Sequence, residues 1–175
     1  MKIKSNSQLD FNEMKYYRID TKYAGTFAEI KEKVEQSILL GSLSGSEFNI
    51  HIGTDSQNGS RATSFVTIIV LHEVGKGARG FYCKYIIPQI RNINERLFME
   101  SVKSIEFAYL FMDLFEKYTI IPYVHADVNP NRKFKSSSIV DEVVGYINAQ
   151  GFEVITKPYS WVSSHVCDHL VKSGG

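Results

Sequence analysis

The chain has 175 residues, a net charge of +1, and is 43% hydrophobic and 22% charged, which suits one globular domain with a core of its own. That balance gives no support for a broad basic footprint for non-specific nucleic-acid binding and leaves a local basic surface open. No apolar run approaches the roughly 18–20 residues that cross a bilayer, and Cys83 and Cys167 form no C-x-x-C pair. With no leader-like start, the expectation is a reduced, cytoplasmic protein.

Residues 1–47 read as a lead-in. Its first twenty-odd residues carry no clear period, but Thr26 and Glu29 form a capping box ahead of Phe27, Ile30, Val34, Ile38 and Leu39. Those residues recur at helical spacing, which predicts a helix over about 27–40 that "GSLSGSE" ends. Three strands follow, at Asn49–Thr54, Thr63–His72 and Phe81–Ile87, joined by short Gly-containing connections that favour an antiparallel meander. A wide apolar stripe from Leu97 to Phe115 predicts one long helix over about Asn94–Lys117. A short strand, Ile120–Ala126, delivers Asp127 at its end. The serines of "NPNRKFKSSS" are placed to cap a helix over about Ile139–Gln150, which Gly151 stops. A fifth strand, Phe152–Thr156, leads to a last helix over about Val162–Val171, and residues 173–175 form a loose tail.

This order predicts an α/β fold with a mixed five-stranded sheet, three antiparallel strands and then parallel ones, flanked by helices. Right-handed crossovers would set the fourth strand beside the first, with Asp55 and Asp127 at neighbouring strand ends. Glu100 shares a helix face with Leu97, Ser104 and Phe111, whereas Glu106 points elsewhere. Asp168 sits in the last helix. Four carboxylates gathered by one fold need a counter-cation, and hard oxygen donors suit Mg²⁺ or Mn²⁺. Two such ions can activate a water and stabilise a leaving oxygen in phosphodiester hydrolysis.

The element order, with "GTDSQ", Glu100 in "RLFMESVKSIEFA", "HADVNPN" and "KPYSWVSSHVCDHL", resembles the YkuK-type family of ribonuclease H-like proteins over residues 48–172. The resemblance implies a ribonuclease H-like domain there and, by analogy with the superfamily, a two-metal nuclease site. Asp55, Glu100, Asp127 and Asp168 would be its metal ligands and catalytic carboxylates, with Asp55 bridging the ions. The implied partner is nucleic acid: RNA, an RNA–DNA hybrid or DNA. The wider superfamily also holds non-catalytic members, so a module that binds nucleic acid or a protein is the alternative.

Other features have plainer readings beside them. Gln57, Lys133 and Lys135 are candidate substrate contacts, with Arg132 in the same basic loop; that loop also reads as ordinary solvated chain. Asn129 reads as a turn residue. His165 and His169 share a helical face and "HVCDH" has the outline of a zinc motif, but a solvent-facing pair is the simpler reading. Tyr16, Tyr17 and Tyr23, interleaved with basic residues, could stack on bases, or pack on the core as lead-in aromatics commonly do. The phosphate loop of actin-like ATPases is loosely similar to "IGTDSQ", but those proteins need two related halves, and one is all that fits here.

Overall fold

A computed structural model describes residues 9–19, 23–167 and 170, without the side chains of residues 164 and 165. Its elements run β1 (Tyr17–Arg18), α1 (Phe27–Leu43), β2 (Phe48–Asn58), β3 (Ala62–Glu73), β4 (Gly77–Pro88), α2 (Ile93–Tyr109), α3 (Met112–Tyr118), β5 (Tyr123–His125), α4 (Val140–Ala149) and β6 (Glu153–Ile155). They form one mixed sheet of six strands in the order β1-β4-β3-β2-β5-β6. β2, β3 and β4 are the antiparallel meander; β5 and β6 join β2's other side in parallel. The α/β reading holds, with one strand more than expected: β1 comes from the unassigned lead-in and pairs Tyr17 and Arg18 with Tyr82 and Phe81.

The Thr26–Glu29 capping box is present. α1 runs past Gly41 to Leu43, however, and the ring of Phe48 occupies the space a side chain at Gly41 would need. The long helix is two, α2 and α3, broken at Leu110 and Phe111. The break turns Phe111 inward, where it meets Phe27, Phe107 and Phe115 with ring centroids 5.3, 5.3 and 6.2 Å away. Aromatic burial of this size outweighs the few helical hydrogen bonds given up. The serines do not cap α4: Lys135–Ile139 forms a short 3₁₀ turn before it, and Ser136 Oγ instead accepts from Asn129 N. Gly151 does follow α4 with a positive φ of 84°.

Alternation along β2 sorts the sheet into two faces. Ile50, Ile52, Thr54 and Ser56 point to the main core, built with α1 and α2. His51, Gly53 and Asp55 point the other way, on the face where Val66, Ile68 and Val70 of β3 pack against Val162, Cys167 and Leu170. The last helix was expected to be regular; over Val162–Cys167 it is π-helical. Five-residue hydrogen-bond spacing brings Val162 and Cys167, both fully buried, onto the same patch of sheet. Asp168 and His169 lie outside the described residues, as does the side chain of His165.

Candidate functional site

Asp55 does not end its strand. β2 continues through Asn58 with Asp55 opposite Val66, so in place of the expected strand end there is a carboxylate held within a sheet and 9% exposed. What ends at this level is the pairing on the other side. The last β2–β5 pair is Gly53 with His125, and the strands then part. Asp55 lies two residues beyond Gly53, and Asp127 two beyond His125. The two acids therefore occupy matching positions at the mouth of the split. Such splits at the carboxyl ends of parallel strands are where α/β sheets bind ligands.

Glu100 reaches the split from α2, which starts at an N-cap where Asn92 Oδ1 accepts from Asn94 N and Glu95 N. It is 3% exposed, while Glu106 of the same helix is exposed and paired with Lys103 at 2.7 Å. Ser56 Oγ donates to Glu100 Oε1 at 2.6 Å. Arg96, one turn earlier, donates through Nη1 to Ser56 O at 2.6 Å, to Ser56 Oγ at 2.8 Å and to Glu100 Oε1 at 3.3 Å. Glu100 Oε2 is buried and has no hydrogen-bond partner among the described residues. Burial first, and then the Asp55 charge, hold the Glu100 carboxyl well above the usual carboxylate range; Ser56 and Arg96 pull the other way, and Asp127 adds to the rise. A chain of hydroxyls fixes the two elements together: Ser104 Oγ donates to Thr54 Oγ1 at 2.9 Å, Thr54 meets Thr67 at 2.9 Å, and Thr67 meets Tyr85 at 2.9 Å.

Asp127 has a partner that the sequence reading missed. Lys157 Nζ lies 2.8 Å from Oδ1 and 3.0 Å from Oδ2. Lys157 follows Ile155 by two residues, and Ile155 pairs with His125. Lys157 thus stands to β6 as Asp127 stands to β5. Arg96 was also missed; its only signal was its position one helical turn before Glu100.

Cys167 reports how close the three acids are. Its thiol donates to Gly53 O at 3.7 Å, and burial followed by the charges of Asp55, Glu100 and Asp127 pushes it well above the usual thiol range. The acids feel one another, yet among the described residues no three His, Cys, Asp or Glu side chains form a group arranged to hold a metal. Asp168, the fourth candidate, falls outside that set. Gln57 is exposed and lies on the Asp55 face of β2. Lys133 sits in the exposed loop after Asp127 and Lys135, also exposed, opens the 3₁₀ turn that follows; in that loop Asn129 Oδ1 accepts from Asn131 N, as a turn residue does. Tyr16 is core, fully buried with its hydroxyl donating to Phe11 O at 2.9 Å. Tyr17 packs on Tyr82, and Tyr23 is 60% exposed.

Sheet order, strand directions and flanking helices define the class. A family profile described as "Ribonuclease H-like" matches residues 27–172, and the chain belongs to that family. Among individual proteins it is similar to the uncharacterized protein YkuK of Bacillus subtilis (strain 168). The two are 26% identical over 161 residues, covering 84% of this chain and 91% of the relative. The resemblance to YkuK-type proteins is thereby borne out.

The ribonuclease H-like fold is generally metal-dependent. Carboxylate oxygens are the donor type a hard divalent cation takes, and one of those at this split, Glu100 Oε2, is buried and bare among the described residues. A carboxylate so placed needs either a proton or a cation to offset the loss of water.

Proposed function

We propose that the chain is a divalent-cation-dependent nuclease that hydrolyses phosphodiester bonds in RNA, an RNA–DNA hybrid or DNA. Asp55, Glu100 and Asp127 would hold Mg²⁺ or Mn²⁺, with Asp168 as a fourth ligand. The observation that carries this reading is the buried Glu100 carboxyl, with Oε1 held by Ser56 and Oε2 bare, at the same split as Asp55 and Asp127. When bound, paired ions of this kind activate a water and stabilise the leaving oxygen.

The chain's own residues have separate tasks in this reading. Ser56 and Arg96 fix the rotamer of Glu100 and leave Oε2 as its ligand atom. Lys157 puts positive charge beside Asp127, where a substrate phosphate would otherwise meet only carboxylates. Gln57, Lys133 and Lys135 offer exposed donors on either side of the split for the sugar–phosphate backbone. With Mn²⁺, the purified protein is expected to cleave at least one of the three nucleic acids, and Asp55→Asn to abolish cleavage. Robust cleavage by Asp55→Asn would overturn the assignment.

A second reading rests on Lys157. A lysine already engaging both oxygens of Asp127 suits a non-catalytic module that keeps the fold and binds nucleic acid or a protein. Calorimetry with Mn²⁺ separates the two, because only the nuclease reading requires divalent-ion binding.

A further inference from the structure

At the opposite end of β2 from Asp55, on the same sheet face, lies a cavity of about 510 Å³. Among the described residues it is lined by Asn49, His51, His72, Tyr123, Ile155 and Trp161. Its size falls within the range of small-molecule sites. His51 precedes Asp55 by four residues, so the cavity is about 13 Å from the acids along the strand. The π-helical segment lies between them, with Val162 packed over Gly53.

The walls are aromatic rings in contact. His51 stacks on Tyr123 with centroids 5.3 Å apart and planes 22° apart. Trp161 meets His51 edge-on at 5.2 Å and His125 at 5.5 Å, and His72 lies 6.3 Å from His51. Trp161 keeps 37% of its surface exposed, so its ring is available to a further partner.

Hydrogen bonding inside the wall fixes what the pocket offers. His51 Nδ1 lies 3.0 Å from His125 Nε2, and His125 Nδ1 is buried with no partner among the described residues. A proton on that Nδ1 would be an orphaned buried N–H, which folded proteins avoid. His125 therefore carries its proton on Nε2 and donates to His51 Nδ1. His51 in turn carries its own proton on Nε2, and this N–H is the donor it brings to the cavity it lines. Burial pushes His51 down to about 4, and the nearby His72 lowers it further, so the His51 ring stays uncharged at neutral pH. No lysine or arginine is among the lining residues.

We propose that this cavity is a binding site for a single nucleobase, which stacks among Tyr123, His51 and Trp161 and is hydrogen-bonded at its edge by His51 and the Asn49 amide. A lining without lysine or arginine disfavours a phosphate or carboxylate as the group bound, whereas a planar heteroaromatic with edge acceptors matches both walls and donors. The base can come from a free nucleoside or from an unpaired residue of a strand. The site does not depend on the nuclease reading.

Trp161 is the chain's single tryptophan and lines this cavity, so its fluorescence reports on binding there. The full chain would be titrated with adenosine, with uridine and with a short single-stranded oligonucleotide. A saturable change with a nucleoside is expected if the ligand is a free base or nucleoside; saturation with the oligonucleotide alone identifies a base within a strand. Tyr123→Leu, which removes a stacking ring from an otherwise apolar strand position, is expected to weaken binding about tenfold or more. His72→Ala, at the rim, provides a second variant should Tyr123→Leu melt early, and is expected to weaken binding severalfold. Nucleoside binding is expected to be the same with Mn²⁺ and with a chelator present, which keeps this test separate from the cleavage assay. No saturable change with any probe at millimolar concentration would overturn the proposal. So would unaltered binding by a Tyr123→Leu protein that melts at the usual temperature.

Discussion

Glu100 and Lys157 carry most of the chemistry that single residues can be tested for. Since burial and Asp55 favour a proton on Glu100, glutamine is close to isosteric with its metal-free form. Glu100→Gln is therefore expected to change metal-free stability by no more than ~1 kcal/mol, while weakening Mn²⁺ binding at least about tenfold. Denaturant melts would show a loss above ~3 kcal/mol if Glu100 were instead an ionised partner of Arg96. The pH dependence has a definite sign. A carboxyl raised on folding holds more protons in the folded chain than in the unfolded one. The contribution of Glu100 to metal-free stability should thus be fullest below about pH 4.3 and fall as pH rises toward the folded value, a slope that appears as the difference between the unaltered chain and Glu100→Gln. Lys157→Gln should leave Asp127 without its resident cation and raise Mn²⁺ affinity severalfold by calorimetry; a lower affinity would mean that Lys157 supports ion binding rather than competing with it. That Asp55, Glu100 and Asp127 lie within electrostatic reach of one another was legible from strand order and helix-face position, although Asp55 sits within its strand rather than at the end. Lys157 was not, because its place opposite Asp127 depends on the β5–β6 register, which no local pattern encodes.

At the scale of elements, β2 is the organising strand. Its apolar alternation was readable, but its length was not: Asp55 and Ser56 look like a strand terminus and in fact continue the ladder with β3. The interruption lies on the β5 side only, and a one-sided split has no sequence signature in β2. Gly53 marks the spot. A side-chain carbon there would come within 2.9 Å of Val162 Cγ1 and 3.3 Å of Ser163 N, so the close approach comes from the chain's own last segment. Gly53→Ala should cost ~1–3 kcal/mol by overpacking, measured by denaturant melts, and should also lower Mn²⁺ affinity by shifting the segment that leads to Asp168. Unchanged stability would show that the segment can lift away freely. The α2–α3 break and the π-helical turn escaped prediction for a shared reason. In each case packing of particular buried side chains, Phe111 in one and Val162 with Cys167 in the other, overrides a periodicity that reads as continuous helix.

For the whole molecule, the meander followed by alternating helices and strands, together with the right-handed crossover rule, was enough to predict β5 beside β2 in parallel. The sixth strand was not predictable, since two residues of a mixed lead-in gain their pairing only when β4 offers a free edge. The finished sheet carries carboxylates at one end of β2 and a ring-lined cavity at the other, with the final segment packed between them. The central claim is that the carboxylate end is a divalent-cation site. A crystal structure of the protein soaked in Mn²⁺ tests it most directly. The account predicts manganese bound by Asp55 and by Glu100 through Oε2, with Lys157 drawn away from at least one oxygen of Asp127. A fully ordered site holding no manganese, with Lys157 still on both oxygens of Asp127, would contradict it.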